Sequence, residues 1–169
     1  MIRIRLAQKS DLAIIAKIRI DNWRTTYKGL LPQGFLDELD YEKETNSWEE
    51  FIKKDLHQVY VAIDKNDVIL GFAGIKPFEN ESNIGELHAL HTSQAARGKG
   101  AGKALIYYVA AYFKNQNINE MRLWVVTGND KAEAIYKHLG AEIYITRVDK
   151  INGTDVPEIG MRWSDLSLM

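Results

Sequence analysis

The chain has no cysteine. That excludes a disulfide framework, a thiolate metal site and a cysteine nucleophile. Long apolar runs are also missing: the longest, Ala104 to Phe113, falls far short of a bilayer-spanning helix. Neither sign of charge dominates. The net charge is −1, so no whole-molecule field draws nucleic acid. The first residues, Met1-Ile2-Arg3-Ile4-Arg5-Leu6, alternate like a strand and lack the apolar core of a signal peptide. The expected address is the cytoplasm, with neither membrane nor nucleic acid as partner. Repeats, low-complexity segments and linkers are absent as well. At 169 residues and 46% apolar, the expectation is one domain over 1–169 with a sizeable core.

What is present is a glycine loop in a telling place. Arg97-Gly98-Lys99-Gly100-Ala101-Gly102-Lys103 follows a strand-like run, Ile84 to Thr92, and opens the apolar helix beginning near Ala104. Strand, glycine loop and helix together leave free backbone N–H groups at a positive helix end, which suits a diphosphate. A P-loop needs G-x-x-x-x-G-K-[ST]; here Gly98 to Gly102 is one residue short and Ala104 replaces the hydroxyl. A dinucleotide fingerprint needs G-x-G-x-x-G early in the chain; here the glycines fall as G-x-G-x-G, and late. What remains is R-x-x-G-x-G on Arg97, Gly100 and Gly102. A second pattern follows about thirty residues on. In N-x-x-A-x-x-hydrophobic-Y-x-x-x-G, Asn129, Ala132, Ile135, Tyr136 and Gly140 match, while Ala141 stands where Phe is usual. The two motifs, in this order, resemble those of the GNAT superfamily, the acetyl-CoA-dependent N-acetyltransferases.

The rest of the chain reads in the same order. Residues 2–7 form a first strand, and Ser10 caps a helix carrying Leu12, Ile15, Ile18 and Trp23. Gly29-Leu30-Leu31-Pro32 ends it, and helices over 33–38 and 41–54 follow. Val59 to Asp64 and Val68 to Lys76 pair around the turn Asp64 to Asp67. Residues 79–83 form a polar loop before the fourth strand. Met121 to Val126 is the fifth strand and 130–139 a helix that Gly140 terminates. Ala141 to Lys150 and Thr154 to Trp163 form a hairpin around Asn152-Gly153. This order predicts an α+β fold, a single mixed sheet of about seven strands with helices on both faces. The resemblance adds a bulge in the fourth strand and a splay between strands four and five.

Amide formation from a thioester needs the donor held, its carbonyl polarised, the amine deprotonated and the thiolate assisted. The resemblance assigns acetyl-CoA as co-substrate. It places the pyrophosphate on the N–H groups of Gly98, Lys99, Gly100, Ala101, Gly102 and Lys103, with charge from Arg97, Lys99 and Lys103. It places the pantetheine arm on main-chain groups near Leu90, His91 and Thr92, and on Asn129, which equally serves as a helix cap. Tyr136 falls near the sulfur. Tyrosine has pKa about 10 and a thiol about 8.5, so a hydrogen bond to the departing sulfur competes with outright protonation. Glu86 falls where some members carry the base, and His88 shares its sheet face. Between Glu86, His88 and water as base the residues leave the choice open; free Glu lies about six units below an alkyl amine, and His near 6.5 lies closer. His57, His88, His91 and His138 show no metal-ligand spacing, and no metal is expected.

The acceptor falls, by the resemblance, to the first helices and the final hairpin: Trp23, Tyr27, Glu86, Trp48 and residues near 147–155. Aromatic walls beside an acid suit a cationic amine, although Trp23 and Tyr27 serve equally as packing. A polyamine, an amino acid, an aminoglycoside-like antibiotic and a protein N-terminus all remain open. The leading expectation is an N-acetyltransferase acting on a primary amine of a small molecule. Alternatives are a protein or peptide N-acetyltransferase and a non-catalytic acyl-CoA sensor, which would have no need of Tyr136. Dimerisation is common in the superfamily, which makes the final hairpin a candidate homodimer contact.

Overall fold

The computed structural model describes residues 1–79 and 81–169. Asn80, inside the expected loop over 79–83, lies outside them. The elements are β1 (Arg3–Leu6), α1 (Leu12–Thr26), α2 (Gln33–Asp37), α3 (Tyr41–Ile52), β2 (Gln58–Ile63), β3 (Ile69–Phe78), β4 (Glu81–Thr92), α4 (Ala101–Asn115), β5 (Glu120–Val126), α5 (Asp130–His138), β6 (Glu142–Ile151) and β7 (Thr154–Trp163). The strands make one seven-stranded sheet in the order β1-β2-β3-β4-β5-β7-β6. Every neighbouring pair is antiparallel except β4 and β5. Among the described residues no helix is long and apolar enough to cross a membrane.

The sheet is covered on both faces. Leu105, Ile106, Val109 and Phe113 of α4, with Tyr136 of α5, pack on Ala62, Ala73, Leu87, Leu123 and Val125. Leu12, Ile15 and Ala16 of α1, with Trp48 of α3, pack on Val59, Val61, Phe72 and Ala89. Strand β2 sends Val59 and Val61 to one layer and Tyr60 and Ala62 to the other, the two-sided burial of an inner strand. A smaller cluster joins Leu31 and Leu36 to Val126 and Val156, with Trp23 and Tyr27 against it.

Two irregularities shape the middle of the sheet. Gly74 pairs with Ala89 but Ile75 with Leu87, so His88 is an extra residue, a β-bulge. The bulge inverts the alternation: Leu87 faces α4 and Ala89, two residues later, faces α1 and α3. The second irregularity is the short parallel pairing. Only Ile84, Gly85 and Glu86 meet Glu120, Met121 and Arg122; beyond Glu86 the strands part. One backbone edge of β4, from Leu87 to Thr92, therefore has no strand partner.

Several local expectations change. Ser10 does not cap α1. It sits in a 3-10 turn, Lys9–Asp11, and the cap residue is Asp11. The Asp11 carboxylate accepts from the Gln8 N–H at 2.7 Å and pairs with Arg5 at 2.7 Å. That ion pair holds the Asp11 carboxyl below its usual range. Trp23 leaves the face of Leu12, Ile15 and Ile18 for the smaller cluster. Glu81, Ser82 and Asn83 belong to β4 rather than to a loop. The three helices expected between β1 and β2 are present, and α4 starts at Ala101, so Gly102 and Lys103 lie in its first turn.

Candidate active site

The glycine loop ends β4 and starts α4. Gly98 and Gly100 have φ of +78° and +88°, the left-handed region that L side chains rarely adopt. A Cβ at either would meet nothing within 4 Å, so backbone conformation rather than crowding requires glycine. Among the described residues the N–H groups of Gly98, Gly100, Ala101, Gly102 and Lys103 donate to no protein acceptor. The Lys99 N–H is spent on the Ala96 carbonyl at 3.2 Å, which removes one of the expected donors. Gly100 caps the helix without a side chain to satisfy these donors. Five converging donors at a helix start, flanked by exposed Lys99 and Lys103, fit a diphosphate.

Behind the loop, a cavity of about 350 Å³ lies between Thr25 and Thr26 of α1, Arg97, and the β5–α5 turn at Gly128 and Asn129. It sits at the C-terminal end of β5, near the splay. The Asn129 side chain accepts from the Ala132 N–H at 3.4 Å and so caps α5, while it also lies against the Tyr27 hydroxyl. Tyr136, one helical turn into α5, is buried and meets Trp163 edge-on at 6.0 Å. Its hydroxyl donates to no protein group among the described residues. Burial, and then the neighbouring Tyr27, pushes its pKa well above the ordinary tyrosine value.

On the other face of β4, Glu86 is buried, not the solvent-facing strand charge its neighbours in sequence allow. Lys76 on β3 approaches its Oε2 at 3.5 Å and His88 Nδ1 at 3.3 Å. The bulge at His88 brings these two side chains together, since both end on the α3 side of the sheet. The His88 ring stacks on Phe51 at 5.1 Å while a third of its side chain stays exposed.

A glycine loop with unpaired N–H donors, a splayed parallel pair and a buried tyrosine thus lie at one end of the sheet. The sequence model of the Acetyltransferase (GNAT) family covers residues 18–141. The chain belongs to the GNAT acetyltransferase family. It is an acyltransferase. It is 31% identical, over all of its length and 96% of the relative's, to the uncharacterized N-acetyltransferase YuaI of Bacillus subtilis. Among solved structures it resembles an N-acetyltransferase from Staphylococcus aureus Mu50, with TM-score 0.77, 19% identity and coverage of 98% and 99%. The PaiA N-acetyltransferase of Thermoplasma acidophilum, solved in complex with coenzyme A, gives TM-score 0.73 at 22% identity, covering 96% and 98%.

In this GNAT chain the remaining sequence candidates separate. Leu90, His91 and Thr92 lie on the unpaired edge of β4, as the splay requires. The His91 ring stacks on Phe72, and its pKa is pushed down to about 3 by burial, then by the Arg19 and Arg97 charges. Tyr27 is brought beside Asn129 and Tyr136, whereas one face of Trp23 is taken by the Arg19 guanidinium at 4.3 Å. Trp48 is a core residue, its ring 3.1 Å from where a Gly74 Cβ would stand.

Buried Asn22 on α1 donates to the Thr92 carbonyl at 2.8 Å and accepts from Arg97 at 3.2 Å, tying the end of β4 to the start of the loop. Arg97 is thereby held by protein as well as available for charge. Glu158 on β7 pairs with Arg147 at 2.8 Å and lies within electrostatic reach of Tyr27. Neither carries a motif; only a polar residue inside an apolar helical stretch marked Asn22.

Proposed function

We propose that this protein transfers an acetyl group from acetyl-CoA to a primary amine of a small molecule, by direct attack, in the cytoplasm. The observation that carries the reading is the set of N–H donors at Gly98, Gly100, Ala101, Gly102 and Lys103, unpaired among the described residues, beside the strand β4 that parts from β5 beyond Glu86. Bound acetyl-CoA supplies an activated acyl thioester with a thiol leaving group. The loop donors and the α4 dipole grip its diphosphate. The free edge of β4 at Leu90, His91 and Thr92 offers main-chain groups to the pantetheine arm and the carbonyl.

The Tyr136 hydroxyl keeps its proton. Burial makes ionisation harder, so Tyr136 acts as a hydrogen-bond donor toward the sulfur rather than as an acid that gives its proton away. An alkyl ammonium near pKa 10.4 must shed a proton before it can attack. Glu86 and His88, 3.3 Å apart with His88 open to solvent, form a two-member path for that proton to leave. The C–N bond forms and the C–S bond breaks, so sulfur departs as a thiolate beside the Tyr136 hydroxyl; of the two protons the ammonium gives up to water, one returns from solvent to the thiolate.

Thermal unfolding with acetyl-CoA, CoA and ATP–Mg²⁺ in parallel tests the donor. Acetyl-CoA and CoA at a hundredfold excess over Kd should stabilise by about 2.7 kcal/mol, and ATP–Mg²⁺ should not. Gly100→Asp sets bulk and negative charge against the diphosphate and should abolish the shift. An unchanged shift in that variant refutes the loop assignment. An acetyl-transfer screen over amines then reads thiol release, with no background from a chain that lacks cysteine.

A further inference from the structure

Between α1 and α3, two N–H donors are sealed from solvent and bonded to nothing among the described residues: Arg19 Nε and Trp48 Nε1. The Arg19 guanidinium lies over the Trp23 ring at 4.3 Å and the Trp48 ring at 5.5 Å. Its Nη1 donates to Glu44. Its other edge, Nε with Nη2, makes no hydrogen bond among the described residues, and that edge is the flat two-donor fork that a carboxylate matches. A charged donor left dry and unpaired is costly unless something arrives to accept from it. Trp48, 3% exposed, holds a second unpaired N–H, a neutral one, on a ring whose centroid lies 5.5 Å from the Arg19 guanidinium carbon.

The place is significant. The charge of Arg19 acts on Tyr27 and on His91, and Tyr27 in turn acts on Tyr136. The Trp48 ring stands 6.2 Å from the His88 ring, so the pair borders the Glu86–His88 side of β4, opposite the layer that holds Tyr136. A fifth of the Arg19 side chain remains open to solvent. Glu44 already neutralises one charge, and Arg97 adds a positive one within reach of His91. Contacts to two indole rings and to Glu44 hold the guanidinium in place, so binding to it loses little side-chain freedom.

The geometry points to an acceptor that carries a carboxylate beside its amine, an amino acid, whose carboxylate takes the Arg19 fork and the Trp48 N–H. This rests on the acetyl-transfer reading above and narrows its substrate class. A decarboxylated amine or a polyamine leaves both donors unpaired and is disfavoured for that reason.

The test compares each of the twenty standard amino acids with its own α-amide as acceptor, at saturating acetyl-CoA. The amide has the less basic amine, so chemistry alone favours it. The expected result is at least one amino acid preferred over its amide by about tenfold to a hundredfold in kcat/KM, expressed in KM. Arg19→Lys keeps the charge and loses the fork, and Trp48→Phe removes one N–H and keeps an aromatic ring. Each should shrink the acid-to-amide ratio. Three results overturn the proposal: amides used as well as acids, a ratio unmoved in both variants, or no amino acid acetylated by a protein that acetyl-CoA stabilises. A merely structural Arg19 would lower both substrates alike and leave the ratio intact. Failure of the underlying reading shows differently, as no stabilisation by acetyl-CoA, and takes this inference with it.

Discussion

Acidification should destabilise this protein through His91, and glutamine at that position should remove the effect. The ring is stacked on Phe72 beneath α1, and Asn22 Nδ2 lies 3.5 Å from its Nδ1. Burial and two nearby guanidinium groups bring its pKa from 6.5 to about 3. Between those values the unfolded chain takes up a proton that the folded chain refuses. Stability is therefore intact above pH 6.5 and falls as pH drops through the window. The gap implies a loss of about 2 kcal/mol at pH 5, growing toward about 4–5 kcal/mol near pH 3. Urea unfolding of the wild type and His91→Gln at pH 7, 6 and 5 measures it. His57, whose pKa burial also lowers, is present in both proteins and cancels in the difference. The wild type should lose about 2 kcal/mol more than the variant between pH 7 and pH 5. Parallel pH profiles would refute the placement of a neutral, buried imidazole under α1.

Gly85→Ala should destabilise by about 1–3 kcal/mol in urea unfolding. Its Cβ would stand 2.5–2.6 Å from the Phe113 ring, which is 3% exposed and has nowhere to move. Tyr136→Phe should lower kcat by roughly ten- to a hundredfold while leaving acetyl-CoA affinity nearly unchanged, since only the hydrogen bond to the sulfur is lost. Equal kcat would reduce Tyr136 to packing. Glu86→Gln should move the basic limb of the pH–rate profile if the proton leaves through Glu86 and His88; an unmoved limb would give the role to water alone.

The parts of the site that depend on consecutive residues were legible without coordinates. Gly98 and Gly100 need left-handed backbone that other residues resist, and helix-start donors next to them need no distant partner, so the loop reads directly from its letters. The same holds for the Asn129 cap and for the Asn152-Gly153 turn, whose two residues have φ of +50° and +75°. The Ser10 cap failed because a competing local choice was available: the Asp11 carboxylate satisfies the Gln8 N–H and holds Arg5, six residues back, a pairing settled only when β1 packs beside the turn. Lys99 failed as a donor because its N–H turns back to Ala96, a bond that spacing does not announce.

Strand order and layer assignment lay one level up. Alternation marked the strands, yet the bulge at His88 inverts it, so which face Leu87 and Ala89 take is decided by the register against β3. Glu86 was singled out by its place on the strand, but its burial was not legible, because Lys76 reaches it from β3, elsewhere in the chain.

The amino-acid sequence by itself determined the family, the glycine loop, the tyrosine motif and the mixed order of helices and strands, because each is written in short-range backbone and capping chemistry. Only the tertiary structure decided where β4 leaves β5, that Glu86 meets His88, that Asn22 ties the strand to the loop, and that Arg19 and Trp48 bury donors with no partner among the described residues. Those contacts join residues tens of positions apart, and the energy that selects them comes from packing two layers onto one sheet, a sum no local pattern carries.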